Sequence, residues 1–186
     1  MKELQQKIKA CRNCDFGYEP NPIVWGHDGA PILQISQAPG RKVHECGKPF
    51  SDASGNTLRA WYGIDEDTFY NKDFFYITSV GHCYPGKAKT GDKKPPKCCW
   101  ELWTKNEVKQ KSGTRLIILI GKEAASKFFP DKKMDELVFG NLEIDGIETI
   151  VLPHPSPLNR KWLKDHPDFE KDRIPCIRKR IRQLIS

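Results

Sequence analysis

Four short apolar runs stand out of a polar chain, at residues 32–36, 74–79, 115–120 and 149–152. None shows the strict alternation of a strand with one wet face. Near-continuous Ile, Leu, Val and Phe is the pattern of strands covered on both sides, as in a parallel sheet. Helices are predicted between them. One covers 56–62 after Ser54-Gly55, one 99–111 after Pro95-Pro96, and one 121–129, from a glycine turn to Pro130. A basic amphipathic helix is predicted at about 172–185. The stretch from Leu142 to Glu148 reads as a hairpin turning at Asp145-Gly146 and feeding the fourth strand. Strands alternating with helices predict one domain over 1–186, an α/β sandwich around a central four-stranded, mainly parallel sheet. Its functional loops should lie at the strands' C-terminal ends, and the segments after Ile35 and after Leu152 are the richest in chemistry.

Charge adds a partner to this picture. Lys and Arg number 31 against 24 Asp and Glu, a formal charge of +7. The excess gathers at Lys87, Lys89, Lys93, Lys94 and Lys97, and again at Arg160, Lys161 and Lys164. Basic side chains beside rigid loops suit phosphate contacts, although a solvated charged face has the same composition. The first residues, Met1-Lys2-Glu3-Leu4, lack the apolar core of a signal peptide, and no apolar run is long enough to span a membrane. The expectation is a soluble, cytoplasmic protein without a membrane partner.

Seven cysteines, an odd number in a reducing compartment, read as metal or cluster ligands plus spares. Cys11 and Cys14 form a C-x-x-C pair, and Cys83 and Cys99 are separated by fifteen residues. A four-thiolate site needs a tight pair on one turn and two distant ligands brought in by the fold. Cys98 is an alternative to its neighbour Cys99, and spacing alone does not separate zinc from iron–sulfur. Cys46 falls in a loop near the expected pocket, and Cys176 is expected to pack within the last helix.

The most informative segment is His154-Pro155-Ser156-Pro157-Leu158-Asn159-Arg160, directly after Ile150-Val151-Leu152. A histidine at the end of a buried strand can donate a hydrogen bond into a pocket. Two prolines stiffen the turn, Ser156 can bind a phosphate, and Leu158 is pushed outward. Such a loop suits an enzyme that pinches a DNA backbone, wedges the duplex and handles an extruded base. An ordinary turn can carry the same four residues, so the segment acquires meaning only beside the others.

Those others are Ser36-Gln37-Ala38-Pro39-Gly40, Gly47-Lys48-Pro49-Phe50, Ser54-Gly55-Asn56-Thr57-Leu58, Ile77-Thr78-Ser79-Val80-Gly81-His82-Cys83 and Pro95-Pro96 with Cys99. In this order, with interleaved cysteines, the chain resembles the uracil-DNA glycosylase superfamily from Cys11 to about Cys176, in particular its iron–sulfur (family 4) branch. The resemblance implies a three-layer α/β/α fold, a monomer, and a [4Fe–4S] cluster on Cys11, Cys14, Cys83 and Cys99. It implies hydrolysis of the N-glycosidic bond of a damaged base in DNA, leaving an abasic site. His154 would donate to the base carbonyl as negative charge develops there. Phe50 would stack on the flipped base, and Gln37, Ala38 and Gly40 of the first loop would hold the base or a water. Leu158 would fill the gap in the duplex, while Ser156, with Asn159 and Arg160 beside it, would grip the backbone.

Three departures bear on substrate. Gln37 stands where the family carries glutamate, and a neutral amide cannot accept a proton as a carboxylate can. Ser79 replaces the asparagine whose amide reads uracil, leaving room for another deaminated base such as hypoxanthine or xanthine. Ser51-Asp52 replaces Val-Gly, so Asp52 either activates water or caps the helix that follows. A non-catalytic nucleic-acid-binding protein of the same fold is the main rival reading, and a zinc-stapled nucleotide hydrolase a weaker one. Covalent capture of the abasic sugar is disfavoured, because no histidine lies between Cys83 and Cys99.

Overall fold

The computed structural model describes residues 1–110 and 112–186. Helix α1 (Lys2–Lys9) leads to β1 (Ile32–Ser36), then α2 (Arg41–Cys46), α3 (Ala53–Tyr62), α4 (Glu66–Tyr70) and β2 (Phe75–Ser79). Next come α5 (Lys97–Cys99), a π-turn (Trp100–Thr104), α6 (Lys105–Gln110), β3 (Leu116–Ile120), α7 (Gly121–Ala125) and α8 (Met134–Phe139). The chain finishes with β4 (Leu142–Ile144), β5 (Ile147–Leu152), a 3₁₀ turn (Pro157–Asn159), α9 (Arg160–Asp165), a second π-turn (Phe169–Arg173) and α10 (Ile174–Ile185).

The sheet order is β2-β1-β3-β5-β4. Four strands are parallel and β4 joins antiparallel to β5. The sheet therefore has five strands where four were expected. The predicted hairpin at Asp145-Gly146 forms, and its first arm pairs as an edge strand. Ser36 lies opposite Ser79, and Ile120 opposite Leu152, so the parallel strands end on one level. The chain passes from β1 to β2 on one side and reaches β3 on the other, which opens a crevice beyond the C-terminal end of β1.

β1, β2 and β3 are buried at every position. Alternate residues of β2 face opposite layers. Phe75 meets the rings of Tyr62 and Phe69, at centroid distances of 6.0 and 5.6 Å, against α3 and α4. Thr78 turns instead to Glu107 of α6 on the other layer, donating to its carboxylate at 2.8 Å. This is the three-layer α/β/α arrangement.

Several helices differ from expectation. α3 starts three residues before 56, because the Asp52 side chain accepts from Gly55 N and caps it. The helix expected at 99–111 begins at Lys97 and takes a wide turn at Trp100–Thr104, and its expected end, Lys111, lies outside the described residues. The one expected at 121–129 stops at Ala125, and tight turns carry the chain on to Phe129. Cys176 is exposed, a correction to its expected packing role, since the buried stripe of α10 runs through Ile174, Ile177, Ile181 and Leu184. Among the described residues no helix is long and apolar enough to cross a membrane.

Candidate active site

A cavity of about 450 Å³ opens at the crevice beyond β1. Gln37, Ala38, Gly40, Phe50, Asp52, Ser79, His154, Ser156 and Leu158 all line it, so nine residues singled out from four separate segments meet at one place. Asn159 closes the 3₁₀ turn, donating its N–H to Ser156 O at 3.0 Å, and Arg160 opens α9. Both stand outside the cavity wall, beside it in the chain. Cys46 ends α2, exposed, with its sulfur 3.0 Å from Ser51 Oγ, and does not line the cavity.

His154 sits where β5 gives way to Pro153 and Pro155. Ser156 N–H donates to its Nδ1 at 3.2 Å, which places the ring proton on Nε2. Burial pushes the imidazole's pKa below its usual 6.5, against the pull of the Asp52 and Asp92 carboxylates. The ring is therefore a neutral donor at neutral pH. Gly121, at φ +80°, backs it, and a β-carbon there would lie 3.4 Å from His154 Cβ.

Phe50 adopts φ +54°, a left-handed conformation that a bulky side chain rarely takes. Arg59 holds its carbonyl at 3.3 Å, and α3 presses so close that a β-carbon on Gly55 would fall 1.8 Å from Phe50 O. The ring lies half-buried in the cavity wall, edge-on to Phe69 at 6.1 Å. Of the two roles left open for it, Asp52 takes that of the helix cap. Its Oδ1 takes the Gly55 N–H at 3.1 Å, while Oδ2 faces the cavity wall at Gly40.

Ser79 is buried and donates its hydroxyl to Gly81 O at 2.8 Å. Toward the cavity it has only acceptor capacity left. Leu158 is 75% exposed at the rim, against Gly91. Lys87, Gly91 and Asp92 also line the cavity. Lys87 belongs to the basic cluster of that segment, whereas Asp92 carries no expectation from the sequence. The available signal was that Asp92 is the only acid between Cys83 and Cys99.

Cys11, Cys14, Cys83 and Cys99 line a second, small pocket with Asn13, Gly81, His82 and Pro96. Cys98 lies close enough to Cys14 to raise its pKa but is exposed and outside that lining. Burial, then neighbouring thiols, pushes Cys14 to about 11 and Cys83 to about 12. Thiols that raise one another in this way would each gain by binding a cationic centre as thiolates. Cys99 Sγ receives the His82 backbone N–H at 3.3 Å and lies 3.4 Å from its Nδ1. His82 is itself buried. Desolvation lowers its pKa, but Glu107 at 2.7 Å and the Cys99 sulfur outweigh that and lift it to about 10. Among the described residues no three His, Cys, Asp or Glu side chains are grouped so as to hold a metal ion. Four thiols around one pocket are the donor set that either an iron–sulfur cluster or a tetrahedral metal ion would take.

Residues 24–178 match the model of the uracil DNA glycosylase superfamily. The chain is 24% identical over 184 residues to a type-4 uracil-DNA glycosylase of Saccharolobus solfataricus, covering 90% of this chain and 82% of that one. It is 26% identical over 136 residues to a type-4 enzyme of Archaeoglobus fulgidus, covering 69% and 63%. A solution NMR structure from Methanosarcina acetivorans, provisionally assigned as a uracil DNA glycosylase, superposes with a TM-score of 0.51 at 18% identity. It covers 84% of this chain and 94% of that one, a likeness of fold.

Proposed function

The chain belongs to the uracil DNA glycosylase superfamily, and from that membership we propose that it hydrolyses the N-glycosidic bond of uracil, or of another deaminated base, flipped out of DNA. The observation that carries this reading is His154. It is a half-buried imidazole on a proline-stiffened loop, with Nδ1 occupied by Ser156 N–H and its Nε2–H left to donate in the cavity.

Breaking the bond leaves electrons on the base and a cation-like deoxyribose. A fixed neutral donor at the base carbonyl stabilises the first charge without protonating the base. Phe50 offers a face for the extruded base, and Gln37 with the Ala38–Gly40 backbone orients base and water. Leu158, exposed at the rim, is placed to enter the duplex as the base leaves it. Ser156, Asn159 and Arg160 flank it, where phosphates of the strand would lie.

Cys11, Cys14, Cys83 and Cys99 are the residues that would hold a [4Fe–4S] cluster. When bound, it would supply iron–thiolate bonding that staples the N-terminal segment to the loop after β2 and to α5.

The test is single-turnover excision with excess protein on an oligonucleotide carrying one uracil, hypoxanthine or xanthine, followed by alkali. His154→Ala should slow base release at least about tenfold while DNA affinity is kept. Equal rates for both proteins would remove His154 from the chemistry. Tight DNA binding without release of any base would favour a binding module of the same fold.

A further inference from the structure

The lysine-rich segment after Cys83 folds into a small hairpin over the cavity mouth. Lys93 N–H donates to Gly86 O at 2.8 Å and Ala88 N–H to Gly91 O at 3.1 Å, and Lys87 and Asp92 form an antiparallel bridge. Bridge partners project to the same side of a ribbon, and here that side is the cavity. The hairpin is anchored at its base, where Tyr18 stacks on Tyr84 at 5.9 Å and donates its hydroxyl to Tyr84 O at 2.6 Å.

Asp92 and Asp52 aim at one spot. A β-carbon built on Gly40 would lie 3.9 Å from Oδ2 of each. Gly40 has no side chain, so the space between the two carboxylates is open to a sugar ring or a water. Asp52 already commits Oδ1 to the α3 cap, whereas Asp92 reaches the cavity from a surface hairpin, with the Tyr84 hydroxyl within hydrogen-bonding reach of its carboxylate. Gln37, the amide on the first loop, can orient a water but cannot take its proton.

We propose that Asp92 is a catalytic residue of the reaction proposed above, on which this inference rests: its carboxylate steadies the cationic deoxyribose and accepts the proton of the attacking water. The C1′–N bond breaks with its electron pair going to the base, and the water oxygen bonds to C1′. The water's proton passes to Asp92 and then to solvent, and the departing base anion takes a proton from solvent. Lys87, across the hairpin, is left to face the phosphates.

Two measurements test this. In single-turnover excision, Asp92→Asn should be about 100-fold slower than the natural protein, with Asp92→Glu recovering part of the loss. A rate within twofold would overturn the proposal. In the second, binding is compared on oligonucleotides carrying a cationic pyrrolidine or a neutral tetrahydrofuran in place of the abasic sugar. The natural protein should prefer the cation, and Asp92→Asn should lose about tenfold of that preference, the size of one charge contact. A preference kept by Asp92→Asn but abolished by Asp52→Asn would assign the role to Asp52 instead. Asp92 is exposed on a surface hairpin, so the variant should melt as the natural protein does. The analogue comparison needs no excision. It judges Asp92 even if no base is released, the outcome that would sink the glycosylase reading alone.

Discussion

Ser79 is the side chain on which the proposed choice of base turns. Its hydroxyl proton is held by Gly81 O, so it accepts from the cavity and does not donate. The edge of uracil alternates acceptor, donor, acceptor, and an asparagine amide could pair with two of those groups. Ser79→Asn should therefore raise uracil excision by about tenfold, the worth of one further paired hydrogen bond. An unchanged rate would show that uracil recognition does not depend on this position. His154 makes a prediction of a different kind. Its imidazole titrates below 6.5 in the folded protein, while in the unfolded chain it takes a proton near 6.5. The unfolded state then binds more protons as the pH falls, so stability is kept above that pH and declines below it. Between about pH 7.5 and pH 5 the natural protein should lose more Tm than His154→Gln. Equal losses would mean that His154 is not held neutral by the fold.

Among the elements, the strands were legible because burial on both faces leaves an uninterrupted apolar run, and β1 was read to the residue. The edge strand β4 was recognised as a hairpin arm but not counted in the sheet, because three residues with one exposed side carry little pattern. Short helices such as α2 and α4 have too few turns to show a period, and their hold comes from caps and contacts. The capped start of α3 is the element on which the cavity most depends. Asp52 fixes its first turn, and Gly55 lets that turn approach Phe50, whose left-handed backbone presents the ring. Gly55→Ala cannot keep this approach, and Phe50 must move. It should lower stability by about 1–3 kcal/mol, as overpacking does, and weaken binding of DNA with an extrudable base. Unchanged melting and binding would mean that the Phe50 turn is not held by α3.

At the scale of the molecule, parallel strands ending on one level bring residues far apart in sequence to one cavity. The motifs after β1, β2 and β5 could be placed from the sequence for that reason. Asp92 could not, since a hairpin folded back over the mouth follows no strand pattern. The cysteine pocket joins the N-terminal segment to the loop after β2 and to α5, and its wall contains Cys99 and not Cys98. Cys99→Ser should therefore abolish bound iron and sulfide and the visible absorbance of an iron–sulfur cluster, while Cys98→Ser should retain them. The reverse pattern would reassign the fourth ligand.

The central claim is that this cavity releases a deaminated base from DNA. The most direct measurement is to incubate excess protein with DNA containing uracil, hypoxanthine and xanthine together, and to identify the free bases by mass spectrometry against the abasic sites formed. Release of at least one of the three is expected, with an abasic site for each base freed, and loss of that release in His154→Ala. No free base from protein that binds the same DNA would contradict it.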